Sequence, residues 1–200
     1  HLFPFEETEK CVEEIVSVMS NQVFEKNLEF SIYIDESIPR TIGTDQARIR
    51  QILVNLIGNA IKFTPSGEIG IYINVERKTG KILYLRFDVV DTGVGISDSK
   101  IGSVFAPFVQ ADVSDTRKYG GTGLGLSICK QIVEALGGKL VVESVESEGS
   151  KFSFVIPVDV TMTKDDTVRG SEKEFRQTKA CLMVKNFTIA KNLKRRLESW

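Results

Sequence analysis

Apolar residues recur along this chain with two distinct periods, and the change from one to the other outlines its elements. Over 6–26, Val12, Ile15, Val16, Met19 and Val23 are spaced by threes and fours, which predicts an amphipathic helix. LEFSIYI at 28–34 alternates as a strand does. After the turn IPRTIG, Thr44 or Asp45 can cap a helix that runs to about Phe63, before Pro65 and Gly67 stop it. EIGIYINVER and KILYLRFDVV flank a Lys-Thr-Gly-Lys turn, which predicts an antiparallel hairpin. Residues 91–122 are rich in glycine and polar side chains around one apolar island, VFAPFV at 104–109, the pattern of a long functional loop or lid. Helical period returns at 124–136 and stops at Gly137 and Gly138, and KLVVESV and KFSFVIPV predict a second strand pair. Together these elements imply a two-layer α/β sandwich, with a mixed but mostly antiparallel sheet packed on about three helices. The segment 159–178 is polar and mostly charged and reads as a linker. Beyond it, ACLMV (180–184) predicts a short strand, and Ile189, Leu193 and Leu197 mark one face of a last helix.

The helix ending at Phe63 carries an unusual polar stripe. At about 100° per residue, Gln51, Asn55, Asn59 and Lys62 share a sector of roughly 80°. They lie opposite Ile49, Ile52, Leu53, Leu56, Ile57 and Ala60. Asparagine is a poor helix former because its amide competes for backbone groups, so two of them one turn apart suggest a partner other than water. A solvated stripe is the plain alternative.

Two further motifs bear on the choice. DTGVGI (91–96) follows an apolar strand directly, so Asp91 is expected at the strand's end with its carboxylate over a cleft, and Gly93 and Gly95 leave room for a ligand near the backbone. An ordinary Asp-Thr-Gly turn is the alternative. KYGGTGLGLSI (118–128) bunches Gly120, Gly121, Gly123 and Gly125 before a helix, where free amides and the helix dipole favour phosphate oxygens. A polar loop, not a strand, precedes these glycines, so a dinucleotide fingerprint is excluded. Arg117 and Lys118 beside them suit charge neutralisation on a polyphosphate.

Composition narrows the classes. The chain has 200 residues with 26 basic and 27 acidic side chains and a net charge of −1. No bulk field therefore favours nucleic acid or an anionic membrane, and phosphate recognition has to be local. The apolar runs fall short of the roughly 18 residues of a membrane span, and HLFPFEETEK lacks the order of a signal peptide. Cys11, Cys129 and Cys181 lack metal-site spacing and are expected as unlinked thiols in a reducing, cytosolic setting.

In chain order, NLIGNAIKF, DTGVGI, VFAPFVQAD and GGTGLGLSI resemble the N box, first glycine box, F box and second glycine box of the sensor histidine kinase ATP-binding domain. That domain shares a superfamily with gyrase, heat-shock chaperone and mismatch-repair ATPases. EGSKFSFVIP at 148–157 resembles its closing strand. The resemblance covers about residues 1–158 and implies a Bergerat-type fold that binds ATP with magnesium. Carried over by position, it implies that Asn59 holds the ion, with Asn55 facing the ion or its water. Lys62, Arg117 and Lys118 would contact phosphate. Asp91 would accept a hydrogen bond from the adenine amine, and Gly93, Gly95 and Ile96 would line the base pocket. Phe63 would lie against the nucleoside or serve the core. Phe105 and Phe108 would anchor a lid at 110–121 by burial. Gly121, Thr122, Gly123, Leu124, Gly125 and Leu126 would offer amides to the outer phosphates, and Ser150 would join the site from the closing strand. Asn59, Asn55, Lys62 and Arg117 would form the catalytic set.

The resemblance also implies partners: an upstream dimerisation domain bearing the acceptor histidine, and a receiver domain or response regulator. The parent would be a homodimer, this chain a monomer, and the domain cytoplasmic whether or not the parent is membrane-anchored. His1 is followed by LFPFEE, not by the family's acceptor signature. Hydrolytic relatives carry a glutamate where Asn55 stands, so transfer is favoured over a slow ATPase, with a non-catalytic nucleotide sensor as the other alternative. Residues 179–200 resemble the start of a receiver, as in hybrid kinases. Lys185 and Asn186 replace its acidic pair, so the segment is a degenerate receiver or a look-alike.

Overall fold

A computed structural model of the protein describes residues 2–4, 14, 15, 17, 19, 21–35, 37–39, 41–109 and 123–160. In chain order the elements are β1 (Leu2–Pro4), a helix α1 that includes 21–25, β2 (Glu29–Ile34), β3 (Thr41–Gly43) and α2 (Gln46–Phe63). They continue with β4 (Glu68–Thr79), β5 (Ile82–Asp91), the short α3 (Asp98–Ile101), α4 (Gly125–Ala135), β6 (Lys139–Val145) and β7 (Gly149–Asp159). The expected linker and receiver-like tail lie, apart from Asp159 and Val160, outside the described residues.

The longest alternating runs form the centre of the sheet. β4 and β5 pair antiparallel as the hairpin pattern predicts, with a bulge between Val75 and Arg77. β7 pairs antiparallel with β5 along its whole length and sets Phe154 opposite Phe87. Their rings stack with centroids 4.6 Å apart, an offset-stacked geometry that adds to the area both bury. β7 outruns the expected 151–158 because its alternation continues: Val158 and Val160 point inward, Asp159 points out, and the Val160 amide donates to the Lys81 carbonyl at 2.8 Å. The strand order is β1-β3-β7-β5-β4-β2, with β6 also on β7, and among the described strands only the β2–β4 pair is parallel. The sheet is mixed and mostly antiparallel, as expected.

α2 begins where Asp45 accepts a hydrogen bond from the Arg48 amide at 3.1 Å, which decides between the two candidate caps. Ile49, Ile52, Leu53, Leu56, Ile57 and Ala60 are buried, as the periodicity predicts, and Ile61 joins them. α4 adds Cys129, Ile132 and Val133, and α1 adds Ile15. At about 1.5–3 kcal/mol per fully buried large aliphatic side chain, this face easily offsets the poor propensity of two asparagines. The opposite face of the sheet is polar. Tyr72 covers Gly70, and Arg86 grips the Asp88 carboxylate through Nε at 2.9 and 3.1 Å.

Candidate functional site

The period of two along β5 fixes the direction of Asp91. Phe87 and Val89 face the helical layer, so Asp91, two positions further, faces it too at the strand's C-terminal end. Asp91 is 6% exposed. Burial pushes its pKa above the usual carboxylate range, and the amides of Gly93 and Ser150, which donate to it, pull part of the way back. Ser150 lies directly across the ladder from Asp91.

The C-terminus of α2 meets this carboxylate. A helix leaves its last four carbonyls without intrahelical partners, and here each one has a donor. The Thr64 amide serves Ala60 at 3.0 Å. Lys26 Nζ, reaching from the end of α1, serves Ile61 at 2.6 Å and Lys62 at 3.1 Å, and adds Thr64 at 3.4 Å. The Val94 amide serves Phe63 at 3.1 Å. Sequence reasoning missed Lys26, because nothing in a periodicity marks a lysine that caps a helix 35 residues away.

The glycine loop is held from its other side as well. Ser147 donates its amide to the Val94 carbonyl at 2.7 Å, and Ile96 donates its amide to Ser144 Oγ at 2.8 Å. That hydroxyl donates onward to the Gly149 carbonyl at 2.7 Å. Loop 92–97 is thus clamped between the end of α2 and the β6–β7 turn. This gives the two glycines a physical role in the chain's own packing. A Cβ at Gly93 would strike the Phe63 carbonyl and the Asp91 carboxylate, and one at Gly95 would strike the Val145 carbonyl. The chain's own backbone requires both glycines.

Along α2, Asn55, Asn59 and Lys62 are half-buried while Gln51 is exposed, so the stripe narrows to three residues at the end nearer Asp91. Lys62 Nζ sits 4.7 Å from the centroid of the Phe63 ring. That ring is half-buried and stands outside the core cluster. Asn55 abuts the first turn of α4: a Cβ at Gly125 would lie 3.3 Å from its Oδ1. Asn59 shares its helix turn with Phe63, whose carbonyl the glycine loop holds. The asparagine stripe and the buried aspartate therefore border one region of the molecule.

The apolar island divides. Phe105 packs against the core, edge-on to Phe152 at 6.4 Å. The expectation that Phe108 anchors a lid by burial is corrected, since Phe108 is 75% exposed. Three positions on, the chain is in turns rather than a helix, and Phe108 sits at φ +61 with its amide bonded to the Gly123 carbonyl at 3.1 Å. Leu124, Gly125 and Leu126 open α4, and both Leu126 and Ile96 pack against the core. Arg117, Lys118, Gly121 and Thr122 lie outside the described residues. Cys129 is a free, buried thiol.

The fold and this set of residues define a family. The chain belongs to the histidine kinase-, DNA gyrase B- and HSP90-like ATPases, whose profile matches residues 44–160. Within that family its similarities run to hybrid kinases. It is 40% identical over 154 residues to hybrid signal transduction histidine kinase B of Dictyostelium discoideum, covering 77% of this chain and 8% of that protein. Over 81% of its length and 32% of the other chain, it superposes with a TM-score of 0.68 and 31% identity on full-length ShkA in complex with AMPPNP. With the nucleotide-free catalytic domain of the histidine kinase ThkA the TM-score is 0.63 at 30% identity, over 78% of this chain and 96% of that one. The chain thus spans only a small part of the curated relative's length. Among the described residues no helix is long and apolar enough to cross a membrane.

Proposed function

We propose that this chain is the ATP-binding catalytic unit of a sensor histidine kinase of the hybrid type. It transfers the γ-phosphoryl group of ATP to a histidine on an upstream dimerisation domain, from which a receiver domain or response regulator takes it. The observation that carries this reading is the buried Asp91 carboxylate, aimed at the helical layer beside the turn of α2 that bears Asn59 and Phe63. Asp91 accepts from the exocyclic amine of adenine, and Gly93, Gly95 and Ile96 form the pocket around the base. Lys62, Arg117 and Lys118 neutralise the phosphates, and the backbone from Gly121 to Leu126 donates to their oxygens. The acceptor imidazole attacks the γ-phosphorus, the bond to the β–γ bridging oxygen breaks, ADP leaves, and the imidazole gives up its proton. Positioning and charge neutralisation supply most of the catalysis such a transfer needs. The AMPPNP held by ShkA, and a complex of ThkA with the response regulator TrrA, support the nucleotide and the partner.

The donor set fits magnesium. Among the described residues no three His, Cys, Asp or Glu side chains gather as a metal cage. The oxygens on offer are the amides of Asn55 and Asn59, and a magnesium ion is commonly held by one or two protein groups together with substrate phosphates and water. When bound, the ion neutralises charge on the phosphates. Asn59→Ala should abolish magnesium-dependent binding of a non-hydrolysable ATP analogue in calorimetry, and unchanged affinity removes Asn59 from that role. Labelled ATP, offered with a separate domain carrying the acceptor histidine, tests the reaction. Phosphohistidine supports the kinase, binding without transfer supports a nucleotide sensor, and steady phosphate release supports an ATPase.

A further inference from the structure

Asp91, Ser150 and Ser144 form one row across the sheet. Ser150 stands directly opposite Asp91 on the β5–β7 ladder and directly opposite Ser144 on the β6–β7 ladder, and side chains so placed share a face with Cβ atoms about 4.5–5.5 Å apart. All three therefore point to the helical layer. Ser150 is buried and Ser144 half-buried, so bulk water competes little for their bonds. Ser144 Oγ is the hub of the row. It donates to the Gly149 carbonyl at 2.7 Å, accepts from the Ile96 amide at 2.8 Å, and lies 3.0 Å from Ser150 Oγ. A hydroxyl has one proton and two lone pairs. A carbonyl can only accept and an amide N–H can only donate, so the Ser144 proton goes to Gly149 and one lone pair to Ile96. Only a lone pair is left for Ser150. The Ser150 hydroxyl therefore donates to Ser144, and what it can offer a ligand is its own lone pairs. Asp91 Oδ1 accepts from the Gly93 amide at 2.9 Å, and an ionised carboxylate has no proton to give. Side by side, the two groups present acceptors alone.

We propose that Ser144 is a specificity-determining positioning residue: by taking the Ser150 proton it makes Ser150 a second acceptor beside Asp91, so that the pocket selects a base bearing an amine over one bearing a carbonyl oxygen. The inference rests on the nucleotide-site reading above and extends it to a residue that touches no ligand. An exocyclic amine has two hydrogens and can satisfy both acceptors. A carbonyl oxygen in the same place opposes both, and the Ser150 hydroxyl cannot turn to meet it without giving up its bond to Ser144. Without Ser144, Ser150 would be free to donate or accept, and Asp91 alone would read the base.

Four proteins test it: Ser144→Ala, Ser144→Thr, Ser150→Ala and the Ser144→Ala/Ser150→Ala double variant. Each is titrated by calorimetry with ADP and with inosine diphosphate in magnesium, after thermal melts show it folded. Inosine carries an oxygen where adenosine carries the amine. Ser144→Ala frees the Ser150 proton, so the preference for ADP should narrow by about three- to ten-fold, the net worth of one hydrogen bond. Ser144→Thr keeps the hydroxyl and should keep the wild-type ratio. In the Ser150→Ala background, Ser144→Ala should leave the ratio where it is. A role limited to holding the glycine loop would weaken both nucleotides equally. That result, a narrowed ratio in Ser144→Thr, or the same narrowing in the absence of the Ser150 hydroxyl would each overturn the proposal. Hydrogen exchange gives a second readout: the Ile96 amide should lose protection in Ser144→Ala and keep it in Ser150→Ala. An Ile96 amide still protected in Ser144→Ala overturns the proposal even if the nucleotide reading holds. A wild type that binds both diphosphates equally, or neither, overturns the nucleotide reading itself.

Discussion

Lys26→Met removes the ammonium that closes the C-terminus of α2 and keeps most of the aliphatic stem. Nζ donates to the carbonyls of Ile61, Lys62 and Thr64 at 2.6, 3.1 and 3.4 Å, and all three bonds are partly buried. A hydrogen bond to a charged group contributes about 1.5–3 kcal/mol when partly shielded, and a cation at a helix C-terminus adds about 0.3–1 kcal/mol through the dipole. Water can reach some of the freed carbonyls, so the net loss should be about 1.5–3 kcal/mol rather than the sum of three bonds. For a chain of this size that lowers Tm by about 4–10 °C. Urea unfolding should give the same loss with an unchanged m-value, because the surface exposed on unfolding stays the same. Hydrogen exchange localises the effect: the Thr64 and Val94 amides, bonded to Ala60 and Phe63 in that turn, should lose protection, while amides in the middle of α4 keep theirs. A Lys26→Met variant within about 0.5 kcal/mol of wild type, or one with uniformly lowered protection, would refute the capping argument.

Gly95→Ala should cost about 2–4 kcal/mol in urea unfolding, because an L side chain at φ +68 is strained and its Cβ would strike the Val145 carbonyl. Gly80→Ala separates the two causes: Gly80 has φ +60 with open space around it, and should cost only about 1–2 kcal/mol. Thr64 Oγ1 is buried without a hydrogen-bond partner among the described residues, so Thr64→Val should leave stability unchanged or raise it by about 1 kcal/mol in thermal melts. Asp91 links pH to both stability and binding. Its pKa is raised in the fold, so its contribution to stability is complete below the unfolded pKa and is lost as pH rises through the folded value; the ionised form is held at a cost near neutrality. Acidification should stabilise the nucleotide-free fold through this group while weakening adenine binding, with a midpoint above the ordinary value of about 3.9. Asp91→Asn should abolish that pH dependence and narrow a preference for ATP over GTP of about ten- to a hundred-fold. A midpoint at the ordinary value, or unchanged base selectivity, contradicts the assignment.

Sequence periodicity determined the longer elements and the core face of α2, because burial follows a repeat that is local in the chain, whereas β1, β3 and α3, of three or four residues each, are too short to show a period. It also determined that Asn55, Asn59 and Lys62 lie away from that core, and that Asp91 ends a strand. What the sequence alone left open depends on partners distant along the chain. Lys26 caps a helix 35 residues on, Ser144 holds an amide 48 residues back, and Cys129 donates to the Ile52 carbonyl of α2, 77 residues back. Such contacts have no period. Phe105 and Phe108 looked alike in the sequence, and only the turn after Pro107 put one ring in the core and the other in water. The two box glycines were legible as positions where a side chain is forbidden, but tertiary structure alone identified what forbids it: backbone carbonyls of α2 and β6, brought against the loop by the packing of the sheet on its helices.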